Sequence, residues 1–308
     1  MTDFQLAIAA LAAVVLFLHG LHGLSRELQR VGGEPLRLWL ARTTRSRLAG
    51  FALGAGATAL LQSSSAVSAI VVTLVESGTL AFRGALPVLL GSNVGTTATA
   101  WLVTLKLTQI GPVAIVLGTL IGILPWRIRV IGRMVFYFGF VMFALDLLSA
   151  SLAPLHGDPR ALALLAQADI PWRGVLGGAL FTAAVQSSSV STGLAILLVQ
   201  QGLLTTPGAI AIVVGANIGT TTTALLAAVG AGAVARRTAM ANLGFNVGGA
   251  LLVLPVLGAA TTLVVRVAGP GGATVATAHL LFNLFVGFTF LALLALRDRW
   301  RPSAATEP

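Results

Sequence analysis

QSSS, residues 62–65, interrupts a stretch, 48–82, that contains no Lys or Arg and is otherwise largely apolar; the same four residues return at 186–189 inside 174–204. Burying four hydrogen-bonding side chains in a hydrophobic run is costly unless they find partners. Each arm flanking QSSS is about 14–16 residues, or roughly 21–24 Å as a helix, short of the ~30 Å hydrocarbon core of a bilayer. A re-entrant helical hairpin with QSSS at its tip fits these lengths. Two full passes would move only the tips to the other side, so charge counting does not separate the layouts. Arm length favours the hairpin.

The membrane setting follows from composition. Of 308 residues, 56% are hydrophobic and 9% charged, with a mean hydropathy of +0.95, whereas soluble domains carry roughly 25% charged residues. Phe4–Leu24 is long enough to span and lacks the short core and cleavage site of a removable leader. Further spans are expected over 84–105, 109–125, 131–153, 207–230, 238–258 and 273–296, about seven in all. The fold class is therefore an all-α integral membrane protein. With no cysteine, disulfides and thiolate chemistry are excluded.

The net charge of +10 comes from basic residues in short loops, which argues for orientation signals and lipid contact rather than nucleic acid. Fifteen of the 19 Lys and Arg fall on one side of the seven-span layout, leaving Lys106, Arg160, Arg173 and Arg266 on the other. This bias places the N-terminus outside and the C-terminus in the cytoplasm. The loop Arg26–Arg47 is expected either along the inner interface or as a plain solvated loop, and the tail 302–308 is expected to be disordered.

The sequence repeats itself at an offset of 124 residues. Gln62–Ser65 maps onto Gln186–Ser189, and Gly91-Ser92-Asn93-Val94-Gly95-Thr96-Thr97 onto Gly215-Ala216-Asn217-Ile218-Gly219-Thr220-Thr221. Two polar motifs duplicated at one spacing indicate internal duplication. Three passes separate equivalent points, so the second copy is expected upside down. This gives an inverted-topology repeat of about 1–126 and about 127–258, with an additional span near 273–296, in a single transport domain. Such architectures bind substrate near the midplane.

At each hairpin tip a new helix begins, with unpaired N–H groups and the positive end of its dipole. Ser63, Ser64, Ser65, Ser187, Ser188 and Ser189 would add caps and hydroxyls there, forming an oxyanion cradle. Gln62 and Gln186 offer either an amide N–H or a carbonyl oxygen. The glycines around Asn93 and Asn217 are expected to unwind their helices and expose carbonyls, an oxygen-only environment suited to a monovalent cation. With no Lys or Arg in 48–82 or 174–235, a bound dianion needs compensating charge, which cotransported cations would supply.

Asp146 is an intramembrane carboxylate, read either as a cation or proton site or as a structural hydrogen-bonding group. Glu76 lies near an interface. His279, Asn283, Asn242 and Asn246 read as polar contacts between helices.

The doubled QSSS, each followed by Gly-Ser/Ala-Asn-Val/Ile-Gly-Thr-Thr, resembles the type II sodium/phosphate cotransporter family from about Leu16 to Leu296. The resemblance implies sodium-coupled phosphate transport with phosphate between the two QSSS tips, Na+ as coupling ion and no other cofactor. It implies a sodium site on Gln186, Ser187, Thr220 and Thr223, with matching first-repeat positions Gln62, Ser63, Thr96 and Thr99. Some members carry an Asp soon after the first Gly-Thr-Thr; residues 98–111 here contain none.

The expected function is therefore a sodium:phosphate symporter of the cell inner membrane, not an enzyme, with inorganic phosphate, Na+ and membrane lipid as partners. Export of phosphate, or transport of another oxyanion, keeps the same fold. A remote alternative is an intramembrane serine hydrolase using His19, His22 or His279 as base. The sequence sets no oligomeric state.

Overall fold

The computed structural model describes residues 3–42, 46–105 and 109–300, and among these it contains helices and turns but no strand. Arg45, Lys106 and Arg301 of the charge count, and the tail 302–308, lie outside the described residues.

Helix α1, Asp3–Arg42, corrects the expected interfacial loop, since the backbone stays helical well past the apolar span. Residues 26–30 are good helix formers. Glu27, buried, pairs with Arg30 at 2.7 Å within the helix and with Arg133 at 3.1 Å. Next come α2 (Arg47–Leu61), α3 (Ser64–Glu76), α4 (Phe82–Gly95), α5 (Thr97–Thr104), α6 (Ile110–Gly122) and α7 (Trp126–Leu152). A short α8 (Pro159–Ala166) leads into α9 (Pro171–Val185), α10 (Ser188–Gln200) and α11 (Thr206–Ala227). Then α12 (Ala233–Val253) passes through a 3-10 turn at Pro255 into α13 (Leu257–Ala268), and α14 (Gly272–Trp300) follows.

Among the described residues, six stretches are long and apolar enough to cross a bilayer: Phe4–Val31, Phe82–Thr104, Ile128–Gly157, Thr206–Ala227, Ala233–Ala268 and Gly272–Arg299. The chain is a multi-pass membrane protein. Six rather than seven spans are found because 109–125 forms only the 13-residue α6, roughly 20 Å long. Gln109, at φ 72°, precedes its first turn, and the helix gives out before Pro125.

Small residues bring these helices together. A Cβ on Gly111 or Gly118 would overlap the backbone of Phe143 or Phe136, so α6 and α7 pack antiparallel in close backbone contact. Gly20 meets Val141 and Gly23 meets the Tyr137 ring, which seats α1 antiparallel on α7. Such seams are how helices associate where lipid offers no hydrophobic drive.

The same reasoning corrects the expected broken helices. Helix α11 runs unbroken through Asn217 and Thr220, and the first copy is interrupted only at Thr96, whose φ −61° and ψ −25° stay in the helical region. The motif glycines serve packing instead. A Cβ on Gly91 would strike the Phe51 carbonyl oxygen and one on Gly215 the Val175 carbonyl oxygen. Gly95 and Gly219 likewise abut Ala55 and Ala179, while Gly54 and Gly178 abut Val88 and Ile212. Every one of these contacts recurs at the 124-residue offset, with α4 parallel to α2 and α11 parallel to α9. Motif side chains satisfy their own helix, as Thr220 Oγ1 donates to the Ala216 carbonyl at 2.9 Å and Asn217 Nδ2 to the Val213 carbonyl at 2.9 Å.

Candidate functional site

Both QSSS segments form the turn between two short helices, and they do so with one geometry. Gln62 (φ 53°, ψ 27°) ends α2 and Gln186 (φ 57°, ψ 25°) ends α9, both in the left-handed region. Non-glycine residues take this conformation at a cost of roughly 1–3 kcal/mol, which concentrates it at functional sites. Ser63 then caps α3, its Oγ accepting from Ala66 N at 3.1 Å, and Ser187 caps α10, accepting from Val190 N at 3.4 Å.

These caps leave the first two N–H groups of each new helix free. The amides of Ser64, Ser65, Ser188 and Ser189, and the hydroxyls of Ser64, Ser188 and Ser189, have no hydrogen-bond partner among the described residues. Ser64 and Ser188 are nonetheless buried. Their free groups face a shared space: one cavity of about 320 Å³ is lined by Gln62–Ser65, Gln186–Ser189, Leu18, Leu21, His22, Val185 and Thr223. Among the described residues, no Lys, Arg, Asp or Glu lines it.

The structure thus collects most, but not all, of the expected site residues. Thr223 enters the cavity and donates to Ser65 Oγ at 3.2 Å, a bond from the second copy to the first. Thr99, its repeat counterpart, stands outside and donates to Gln62 Oε1 at 2.9 Å. Thr96 and Thr220 lie away from the lining, each hydrogen-bonded to its own helix. Asn93 donates to Asn246 on α12 at 3.1 Å, and Asn217 bonds its own helix; neither lines the cavity.

The two glutamines differ. Gln62 is engaged on both ends, with Nε2 donating to the Ala59 carbonyl at 2.6 Å and Oε1 accepting from Thr99. The Gln186 carboxamide has no hydrogen bond among the described residues. Gln186, Ser187 and Thr223 all line the cavity with oxygen-bearing side chains.

Other polar residues have local duties. Glu76 Oε1 accepts from Gly232 N at 2.8 Å, capping the start of α12. Asp146 is half-buried, with Oδ2 3.5 Å from Gln109 N at the start of α6. Asn246 makes the cross-helix contact to Asn93, while Asn283 donates to the His279 carbonyl. His19 sits edge-on to Phe140, their ring centroids 6.1 Å apart. His279 is buried, and its ring nitrogens have no partner among the described residues. No serine is hydrogen-bonded to a histidine among the described residues. Leu18, Leu21 and His22 of α1 are the lining residues that reasoning from the motifs alone misses. The sequence signal was a pair of histidines, His19 and His22, toward the end of the first apolar span.

A multi-pass helical protein whose duplicated polar turns share one internal cavity has the construction of a membrane transporter. The sequence profile described as Na+/Pi-cotransporter matches twice, over residues 16–150 and 146–298. "Uncharacterized protein YqeW" of Bacillus subtilis (strain 168) is 33% identical over 288 residues, covering 92% of this chain and 94% of that protein. "Putative inorganic phosphate export protein YjbB" of Escherichia coli (strain K12) is 31% identical over 278 residues, 89% of this chain and 51% of that longer protein. "Sodium-dependent phosphate transport protein 2B" of Homo sapiens is 40% identical over 99 residues, 30% of this chain and 14% of that protein. No solved structure matches. The chain belongs to the Na+/Pi-cotransporter family.

Proposed function

We propose that the protein is a secondary transporter that couples inorganic phosphate to Na+ across the cell inner membrane, by alternating access at the cavity between the two QSSS turns. The observation that carries this reading is the convergence of both turns, 124 residues apart, on one cavity with four free backbone amides and no charged Lys or Arg. Phosphate would sit on the amides and hydroxyls of Ser64, Ser65, Ser188 and Ser189, at the positive ends of α3 and α10. Na+ would bind the open oxygens of Gln186, Ser187 and Thr223, offsetting the anion's charge where the protein supplies none.

In this reading α2–α3 and α9–α10 are re-entrant hairpins entering from opposite sides, and the halves are inverted repeats of about 1–126 and 127–258. A seventh traverse through the short α6 would complete this layout, and its antiparallel packing on α7 supports that reading. The N-terminus then lies outside and the C-terminus in the cytoplasm, in keeping with the arginine bias.

A second reading, export of phosphate, draws on the name of the Escherichia coli relative. Radiolabelled phosphate flux in proteoliposomes decides between them. Symport predicts uptake driven by an inward Na+ gradient and abolished without Na+; export that ignores the gradient overturns it.

A further inference from the structure

We propose that His22 of α1 is a direct phosphate ligand, a third wall of the site that belongs to neither QSSS turn; the inference rests on the phosphate reading above. His22 lines the cavity, and among the described residues it is the one lining side chain that is ionisable. Its ring nitrogens have no hydrogen-bond partner among the described residues. An imidazole carries an N–H that can donate to a phosphate oxygen in either of its protonation states.

Its position is held rather than incidental. Ser25, three residues on and therefore on the same face of α1, is buried and donates from Oγ to the Leu61 carbonyl at 2.7 Å. Leu61 is the last residue of α2 before Gln62, so this bond pins α1 to the tip of the first turn. On the other side of α1, Gly20 and Gly23 seat against Val141 and Tyr137, and the buried Glu27 meets Arg133 at 3.1 Å. A helix fixed on two sides presents the imidazole to the cavity at little entropic cost on binding.

His22 also breaks the symmetry of the duplication. At the 124-residue offset Ser25 corresponds to Ser149 and His22 to Asp146. Asp146 does not line the cavity and instead faces the start of α6. The two serine turns are near twins, but only one side of the anion meets a nitrogen ring.

The test is sodium-dependent phosphate binding to the purified full chain for wild type, His22→Ala, His22→Gln and His19→Ala, with spectra of the protein carrying 15N-labelled histidine. About a tenfold loss of affinity is expected in His22→Ala, with part of it restored by the N–H of His22→Gln, and no change in His19→Ala. Saturating phosphate is expected to shift the imidazole signal that His22→Gln removes. Wild-type affinity in His22→Ala, or an imidazole signal indifferent to bound phosphate, overturns the role of His22. If His22→Ala does not fold, the wild-type spectrum decides alone. Absence of phosphate binding in the wild type itself overturns the phosphate reading, and the ligand role with it.

Discussion

Thr223 Oγ1 donates to Ser65 Oγ at 3.2 Å, joining α11 of the second copy to the first QSSS turn. The Thr220 carbonyl lies 2.8 Å from the same oxygen, so its single proton is shared between the two acceptors. The contact has no mirror image, because Thr99 bonds Gln62 within its own half. A single neutral hydrogen bond is worth about 1 kcal/mol. Thr223→Val keeps the shape and removes the bond and one oxygen of the proposed Na+ site. It is expected to weaken the Na+ dependence of phosphate uptake several-fold while leaving thermal stability within about 1 kcal/mol; uptake titrated against Na+ measures this.

The motif glycines give a packing prediction. Gly91→Ala and Gly215→Ala put a methyl into the carbonyl of the parallel neighbouring helix, and overpacking of this kind costs roughly 1–3 kcal/mol or more. Gly177→Ala, where nothing lies within 4 Å of the added atom, is expected to be neutral or to stabilise by up to about 1 kcal/mol through helix propensity. Thermal unfolding of the detergent-solubilised variants should separate the two classes. Equal melting temperatures would contradict the seam.

Gln62 and Gln186 occupy the same position in their repeats but are partnered differently. Gln62→Ala removes bonds to Thr99 and Ala59 and should destabilise the fold by about 1–2 kcal/mol. Gln186→Ala breaks no bond within the protein and should leave stability unchanged while raising the Na+ concentration needed for half-maximal uptake. Melting curves and Na+ titrations, run on both variants, check the contrast.

Glu27 is 4% exposed and holds Arg133 across the α1–α7 seam. Removing one partner of a buried pair leaves the other uncompensated, at about 3–5 kcal/mol. Glu27→Gln is expected to cost slightly less, since Arg133 reaches solvent with 36% of its side chain. Chemical unfolding in micelles gives the number.

Much of this organisation is legible in the chain itself. QSSS announces a turn because its arms are too short to span and its serines are natural caps, and α2–α3 and α9–α10 place it at that turn. Legible too is the duplication, down to the glycine contacts that recur at offset 124. The glycines around Asn93 and Asn217 mislead, because weak helix propensity and close backbone packing call for the same residue, and only the neighbouring helix tells them apart. The length of α6 depends on a left-handed Gln109 that no local pattern predicts. His22 reaches the cavity through a bond between Ser25 and Leu61, 36 residues apart, and such tertiary contacts leave no periodic trace.

The shared site is tested most directly by Na+-dependent phosphate binding to purified protein bearing Ser64→Ala, Ser188→Ala or both. Each serine begins one of the two facing helices and offers a hydroxyl with no partner among the described residues. Losses of similar size from the two single variants, about tenfold each at one hydrogen bond to a charged group, are predicted, with Na+ needed throughout. Undiminished binding in either single variant would contradict a phosphate site built from both turns.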